Sequence, residues 1–420
     1  MKQSLWVVGI SVFLIAYKPI RVFSQDSDSV LAKQFDLADL SKKLFAKPQK
    51  KQEKKASTVA MLPSIGYNPS IGFQLGLNVS GGFYLGKPKT TTMSVFSIVG
   101  FGTTKGIITG QLRHNVFTKD NRWNLQGNMQ LSRMVSFDYG VGTGITIGSN
   151  GYFEIDGIPL DNDSALFPIK LQYTRFTERA YRKIGQHLYA AIGLSFDIRS
   201  KINDTKLDST GNTPHYKYSA ANGYNPGQYN ANGLLFNLLY YAKEHPNRSY
   251  RGIYTDIGIR VNQTWLGSSY NSIQLLTELR KYWSLSATNP EHVLAIWHMG
   301  NYLLQGKLPY LELPGTGLDT WGRGGRGYTI GRFKGLSFFT LETEYRFPIT
   351  RNKFLGGVVF ANIQSASNQT GIHLFDYWEP AMGSGLRFLF KKNTRTSLCI
   401  DYAVGRYGSK GLFFGLNEVF

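Results

Sequence analysis

Charged residues alternate with apolar ones in the stretch LETEYRFPI, where the residue types of this chain best suit ionic chemistry. Glu342, Glu344 and Arg346 are two residues apart, and a glycine- and arginine-rich segment containing Arg326 precedes them. Because successive side chains of a strand point to opposite faces, these three charges share one face and the apolar residues share the other. A guanidinium group binds carboxylates with a planar fork of donors, so Arg326 is a candidate partner for them. The pattern indicates an ion-paired face on a β-strand.

The histidines do not add a catalytic site. None lies at a spacing typical of a nucleophile, metal or carboxylate partner, and neither GxSxG nor HExxH occurs. We therefore expect no enzyme, no metal site and no cofactor. The residues concerned are His114, His187, His215, His245, His292, His298 and His373.

The composition favours a membrane β-barrel. Of the 420 residues, 18% are charged and 14% aromatic, whereas soluble domains carry roughly 25% charged residues. Mean hydropathy is -0.22, and no long uncharged apolar run follows the N-terminus, which argues against spanning helices. Abundant Gly, Tyr and Phe with modest hydropathy is typical of barrels in which lipid-facing residues alternate with polar ones.

The N-terminus indicates export. Lys2 precedes an apolar run from Leu5 to Tyr17, and the small residue Ser24 marks a cleavage position, so residues 1–24 are predicted to be a secretory signal peptide. An uncleaved anchor helix is the alternative, although the apolar run is short for one. The single cysteine, Cys399, excludes an internal disulfide.

The net charge of +20 raises the question of an anionic partner. Nucleic acid is not expected, because an exported chain rarely meets it. Outer-membrane lipid, lipopolysaccharide headgroups or acidic groups inside a barrel suit the charge better. Part of the excess lies in residues 25–56, which are predicted to be a polar, Lys-rich, solvated periplasmic segment.

From residue 57 to 420 the sequence predicts strands bounded by turn residues. Long connections at 137–165, 203–231, 307–335 and 365–380 fall on one side, and short turns fall on the other. Outer-membrane barrels have long outer loops and short periplasmic turns. The predicted strands, sixteen in number, are 57–67, 72–85, 91–103, 105–118, 121–136, 166–182, 186–202, 232–245, 249–263, 269–286, 292–306, 336–349, 354–364, 381–391, 395–405 and 410–420.

The last strand carries a second signal. Phe414, Leu416 and the terminal Phe420 are predicted to share one face. An amphipathic last strand that ends in an aromatic residue is the usual C-terminal signal of outer-membrane barrels, and we expect it to form the barrel seam with the first strand.

The stretch PYLELPGTGLDTWGRGGRGYTIGRFKG with LETEYRFPI resembles the bacterial surface antigen family, which includes the BamA and TamA insertase barrels and two-partner-secretion transporters. YNPSIGFQLG and the closing DYAVGRYGSKGLFFGLNEVF also look like the family. The resemblance implies a sixteen-stranded antiparallel transmembrane β-barrel whose sixth extracellular loop folds inward and carries an Arg-Gly-Phe/Tyr tip. Here the tip is Arg326, Gly327 and Tyr328, in loop 307–335.

By the same resemblance, Glu344 is a partner of the Arg326 tip. The family's next-strand motif, Phe-x-Asp-x-Gly, falls on Phe360, Asn362 and Gln364, so Asn replaces Asp and Gln replaces Gly. We expect a weaker interaction at Asn362, helped by Glu342 or Asp401. The alternative is that Arg326 lies in a basic surface loop.

The resemblance implies a BamA/TamA-like barrel in the bacterial outer membrane that assists protein assembly or translocation. Its partners would be client outer-membrane proteins or periplasmic subunits. Residues 25–57 are too few for a periplasmic domain, so the chain resembles a short form without POTRA domains. The alternatives are a passive, anion-preferring pore and a structural or partner barrel of another outer-membrane complex. The seam would join 57–67, with Pro63 and Pro69 in or beside it, to 410–420.

Overall fold

The computed structural model describes residues 34–37, 39–40, 58–68, 72–144, 146–147, 153–155, 158–159, 167–207, 213–319, 322–368 and 371–420. The predicted signal peptide 1–24 lies outside the described residues, as do Pro69 and most of 25–56. No described helix is long and apolar enough to cross a membrane.

The described chain is dominated by one antiparallel sheet in which every strand pairs with its neighbours along the chain. Fifteen antiparallel pairings join sixteen strands in sequence order. The strands are β1 Thr58–Asn68, β2 Gly72–Phe83, β3 Ser94–Thr103, β4 Ile108–Phe117, β5 Trp123–Asp138, β6 Phe167–Lys183, β7 Leu188–Asp204, β8 Tyr229–Lys243, β9 Gly252–Asn262, β10 Ser272–Ser284, β11 Val293–Gly306, β12 Ser337–Pro348, β13 Leu355–Ala366, β14 Glu379–Lys391, β15 Thr396–Gly405 and β16 Lys410–Leu416. The prediction of an all-β antiparallel fold is confirmed.

The sheet buries charged side chains on one face and exposes apolar side chains on the other, which is the reverse of a soluble protein. On β12, the side chains of Glu342, Glu344 and Arg346 are at most 2% exposed. On the other face of the sheet, Ile192 and Met382 are 59% and 62% exposed. Because strand side chains alternate, the sequence pattern itself assigns the charged residues to the enclosed face and the apolar residues to the outside.

The sheet curls until its first and last strands come into contact. No ladder of hydrogen bonds joins β1 to β16 among the described residues. Pro63 lies in the middle of β1, opposite Leu77 of β2. Proline has no backbone N–H to donate and is confined in sheets to edges and bulges, so its position suits a strand with one unpaired edge.

The connections divide the molecule into two ends. The short-turn end includes the links 84–93, 118–122, 184–187, 244–251, 285–292, 349–354 and 392–395, and the long-loop end includes 263–271, 307–336 and 367–378. Three short strands, Thr146–Ile147, Phe153–Ile155 and Ile158–Pro159, form a small separate sheet within a long-loop connection.

A helix that the sequence analysis did not predict packs at the long-loop end. Helix α1, Pro214–Asn222, begins after Thr213, whose hydroxyl accepts a hydrogen bond from Tyr216 N, and ends at Gly223 with φ of 75°. Tyr218 Oη donates to Leu308 O at 2.9 Å, and its ring centroid is 5.2 Å from that of Tyr310. The helix therefore fixes the start of segment 307–336.

Candidate functional site

Segment 307–336 folds back on itself over the charged face of the sheet. An antiparallel bridge joins Gly315 to Lys334, and Thr316 N donates to Phe333 O at 2.8 Å. Thr316 Oγ1 also donates to Gln364 Oε1 of β13 at 2.6 Å. Gln364 is fully buried and therefore serves as an anchor for the returning segment.

Two glycines let the chain reach the sheet. Gly325 and Gly327 have φ of 75° and 106°, a left-handed conformation that glycine adopts without a steric penalty. A Cβ on Gly327 would lie 2.7 Å from Ala381 Cβ. A Cβ on Gly325 would lie 2.7 Å from the Gln364 side chain of β13. The backbone therefore approaches β13 before Arg326 and β14 after it more closely than a residue with a side chain could.

Arg326 lies at the centre of the site and is 2% exposed. Its Nη1 donates to Asp401 Oδ2 at 2.6 Å, and its Nη2 donates to Glu342 Oε1 at 2.6 Å and to Glu344 Oε1. The guanidinium carbon is 3.5 Å from the centre of the Phe360 ring, the geometry of a cation–π contact. The alternative of an exposed basic loop is wrong for Arg326.

Asn362 contributes to the site as a donor. Its Nδ2 donates to the backbone oxygen of Arg326 at 2.8 Å and lies 3.4 Å from Glu342 Oε2. A carboxylate could make neither contact, because both partners are acceptors. The structure thus brings all five predicted partners, Glu342, Glu344, Phe360, Asn362 and Asp401, into contact with the Arg326 residue.

The ionic contacts continue beyond Arg326. Asp401 also binds Arg387, which binds Glu418 at 2.7 Å. Glu418 in turn lies 3.5 Å from Arg248. We call the whole set the arginine cluster; it consists of Arg248, Arg326, Arg346 and Arg387 with Glu342, Glu344, Asp401 and Glu418. Its positive and negative side chains are equal in number, which offsets the cost of burying them.

Tyr328 attaches the tip to the last strands. Its hydroxyl donates to Pro380 O at 2.6 Å and accepts from Arg406 N at 3.0 Å. The ring packs edge-to-face on Phe333 with centroids 4.9 Å apart. Tyr328, together with Arg326, connects segment 307–336 to β14 and to the turn after β15.

The C-terminus departs from the prediction. Phe414 and Leu416 lie on one face of the last strand, where they are 51% and 5% exposed. Phe420 lies beyond the strand and is 3% exposed, so it does not continue that face. The last strand ends at Leu416, since Asn417 adopts a φ of 68°, a left-handed conformation that turns the chain out of the ladder. Phe420 then stacks on Trp297 with centroids 5.3 Å apart.

Arg323 holds this turned-in tail. Its guanidinium donates to the carbonyl oxygens of Leu416, Asn417 and Glu418 at 2.6, 3.3 and 2.8 Å. Segment 307–336 therefore contacts both the strands of the sheet and the end of the chain.

Sequence reasoning missed Arg323, Arg387 and Glu418. The one available signal for Glu418 was an acidic residue within an otherwise aromatic ending, GLFFGLNEVF. Arg387 occurs in an apolar stretch of β14 without a nearby acid, so its partners could not be found from local spacing.

The arrangement suits mechanical attachment better than bond chemistry. Each charged group in the cluster contacts a group of opposite charge, and salt bridges of this kind fix geometry without activating a nucleophile. Among the described residues, no group of three or more His, Cys, Asp or Glu side chains could hold a metal ion.

A family model described as the Omp85 superfamily domain matches residues 195–404, which is half of the chain. This range includes β8 to β14, segment 307–336 and all five predicted partners of Arg326. No curated protein sequence matches the chain.

Solved structures share the fold. BamA from Haemophilus ducreyi lacking POTRA domains 1-3 has a TM-score of 0.51 at 14% identity, covering 87% of this chain and 70% of that one. CdiB from Acinetobacter baumannii has a TM-score of 0.50 at 10% identity, and CdiB from Escherichia coli 0.52 at 9%. Each CdiB match covers 87% of this chain but only 60% and 63% of the CdiB chains. By the match to its family model, the chain belongs to the Omp85 superfamily.

Proposed function

We propose that this protein is a sixteen-stranded β-barrel of the bacterial outer membrane that assists the assembly or translocation of other outer-membrane proteins. Segment 307–335 lies in its lumen as an inward-folded sixth loop. The exposed apolar face of the sheet would contact lipid and the charged face would line the lumen, because a charge facing lipid at mid-membrane costs ~2–4 kcal/mol. Outer-membrane lipid and lipopolysaccharide contact the outside, and client proteins or periplasmic subunits are its protein partners.

The observation that carries the proposal is the open seam. No ladder joins Thr58–Asn68 to Lys410–Leu416 within the described chain, so each strand keeps an edge whose backbone donors and acceptors are not paired with another strand. Such an edge pairs readily with an incoming strand. The arginine cluster and Arg323 hold the strands and tail beside this seam, which gives the edge a defined geometry while it is open.

A disulfide across the seam tests the proposal. In a Cys399→Ser background, cysteines replace Met61 of the first strand and Phe414 of the last. Val59 and Leu416 form a second pair, because the two strands run antiparallel and facing residue numbers therefore keep a constant sum. The purified protein is placed in lipid vesicles, and the folding rate of an unfolded outer-membrane barrel protein is measured before and after oxidation. We expect oxidation to reduce the rate to that of empty vesicles and a reductant to restore it.

The matched control joins two strands that are already paired. Tyr402 and Leu412 are register partners in β15 and β16, so a disulfide between cysteines there leaves the seam free. Full activity with an oxidised seam would contradict the proposal and favour a structural or partner barrel. Equal inhibition by the control disulfide would show that oxidation itself causes the loss.

The contacts at the two ends disfavour a passive pore. The interior contains a cavity of about 670 Å³. Segment 307–336 covers the charged face toward the long-loop end, and turn 244–251 crosses to turn 392–395 at the short-turn end, where Asn247 Nδ2 donates to Thr394 O at 3.0 Å. These contacts place protein across part of the interior near both ends, which favours a plugged barrel over a continuous pore.

A further inference from the structure

Residues 34–40 are attached to the short-turn end of the sheet. Phe35 N donates to Asn352 O at 3.0 Å, and Lys392 Nζ donates to Asp39 Oδ2 at 2.7 Å and to Gln34 O at 3.3 Å. Lys392 N also donates to Asp36 Oδ2 at 3.2 Å. This part of the Lys-rich segment is therefore bound to the barrel, which corrects the prediction of a wholly solvated segment.

Two aspartates give the bound segment its shape. Asp39 N donates to Asp36 Oδ1 at 3.0 Å, and Asp36 N donates to Asp39 Oδ2 at 3.3 Å. This reciprocal arrangement is a capping box, which satisfies the free backbone donors at the start of a helical turn. The spacing Asp-x-x-Asp thus folds the turn and at the same time presents two carboxylates to Lys392.

An aromatic contact supplements the ionic ones. The ring of Phe35 packs edge-to-face on Phe354 with centroids 5.9 Å apart, and Phe354 packs in the same way on Phe388 of β14. Gln34 and Asp36 are both 5% exposed. The bound surface therefore recognises an aromatic residue followed directly by an acidic helical turn.

The bound segment lies beside the seam. Lys391, next to Lys392, donates from Nζ to Val59 O of β1 at 3.1 Å. In the same turn, Arg395 Nη1 donates to Glu244 Oε1 at 2.5 Å and to Arg248 O at 3.1 Å. Lys391 and turn 392–395 thus connect the N-terminal segment, the first strand and turn 244–251.

We propose that turns 350–354 and 391–395 form a peptide-docking site for the pattern aromatic-Asp-x-x-Asp. Residues 34–40 occupy this site in the isolated chain, and a periplasmic partner that carries the same pattern replaces them. A single helical turn has no stability of its own, so the contacts with the barrel described above hold the segment in place. The basic turn and the acidic segment are complementary in charge. The periplasmic location of the partner rests on the proposed outer-membrane orientation, whereas the site does not depend on the proposed assembly function.

Competition between the two occupants provides the test. The protein is the full chain with Asp36→Ala and Asp39→Ala, which releases its own segment. The probe is a fluorescent synthetic peptide of residues 33–41, and its binding in detergent is followed by anisotropy. We expect the peptide to bind the released protein and to bind the unmodified protein roughly tenfold or more weakly, because a tethered competitor has a high effective concentration.

Charge reversal identifies the docking surface. Lys392→Glu in the released protein is expected to abolish peptide binding, and a peptide with Asp39→Lys is expected to restore it. Lys89→Glu, on another short turn where Lys89 is exposed, is the matched control and should leave binding unchanged. The heat-dependent gel mobility of each variant checks that the barrel is folded.

Two results would overturn the inference. One is the absence of peptide binding to the released protein, which would make the segment a structural part of its own chain only. The other is equal binding to the Lys392→Glu and Lys89→Glu proteins, which would show that the peptide adheres without using this site.

Discussion

Asn362 shows how this chain differs from the family pattern that its sequence resembles. An aspartate at this position would add a carboxylate beside Glu342 Oε2 and beside the Arg326 backbone oxygen, both of which now face an amide donor. The arginine cluster is already balanced without it, because Asp401 supplies a carboxylate from β15. Asn362 is therefore suited to the charges around it.

We expect Asn362→Asp to destabilise the protein, although aspartate is the residue that the resemblance to the family implies at this position. The variant leaves one buried negative charge in excess and removes a donor, which should lower the free energy of unfolding by about 3 kcal/mol. Urea unfolding in detergent micelles measures the change.

A second substitution separates charge from packing in this prediction. Glu342→Gln combined with Asn362→Asp restores the balance and returns an amide donor to the pair, so the double variant should recover most of the loss. A double variant no more stable than Asn362→Asp alone would contradict the electrostatic explanation.

The resemblance could identify Arg326 and Glu344 because their sequence patterns are local. The roles of Arg387 and Glu418 depend on contacts between residues far apart in the chain: Glu418 binds Arg387 and lies near Arg248. No periodicity in the sequence encodes which of several arginines an acid will meet, so this part of the site required the three-dimensional structure.

At the scale of elements, segment 307–336 depends on glycine at Gly327. We expect Gly327→Ala to loosen the segment, because alanine at a φ of 106° is strained by about 1–2 kcal/mol and its Cβ would contact Ala381 at 2.7 Å. Limited proteolysis of the purified protein in detergent should then cleave within 307–335, whereas the unmodified protein should resist.

Gly371 provides the matched control for this substitution. It has a similar φ of 118°, but a Cβ there would meet no atom within 4 Å. Gly371→Ala therefore tests backbone strain alone. Equal cleavage of segment 307–335 in both variants would mean that the close approach to β14 is unimportant.

Helix α1 should respond to acid through His215. The side chain is 1% exposed, and burial lowers the pKa of His215 to about 4. Asp204, Asp138 and Lys334 face it. In the unfolded segment the pKa of His215 has its ordinary value of about 6.5. Between pH 6.5 and pH 4 the unfolded segment therefore binds more protons than the folded one. The free energy of unfolding of the helix should fall by about 1–3 kcal/mol as the pH drops through this window.

Hydrogen exchange of the amides of residues 214–222 at pH 7.5 and pH 5 measures this effect, after correction for intrinsic rates. His215→Phe should remove the pH dependence, whereas replacing His373, whose side chain is 71% exposed, should leave it unchanged. A pH dependence that survives His215→Phe would assign the effect to another group.

The sequence predicted the strands well because their pattern is local. The segment predicted at 336–349 is Ser337–Pro348, and the one at 292–306 is Val293–Gly306. The last strand was predicted too long, since nothing in the alternation reveals that Asn417 turns left-handed. The sequence pattern did not predict helix α1 because the helix has no apolar stripe of helical period. Packing against Tyr310 stabilises it instead.

For the whole molecule, we expect no steady ionic current through the unmodified barrel in a planar bilayer, because segment 307–336 and the contact between turns 244–251 and 392–395 obstruct the interior near both ends. A variant that combines Arg326→Ala with Arg395→Ala removes contacts at each end and should conduct. Steady anion-selective current through the unmodified protein would support the passive pore and contradict this account of the interior. Gel mobility confirms that the variant remains folded.

The turned-in tail has a consequence for variants shortened at this point. Glu418 lies beyond the last strand, yet it pairs with arginines from β14 and from turn 244–251. A variant without residues 417–420 would keep both arginines but lose the carboxylate that they share. The loss of four residues outside the sheet would therefore weaken contacts between parts of the barrel that are far apart in the sequence.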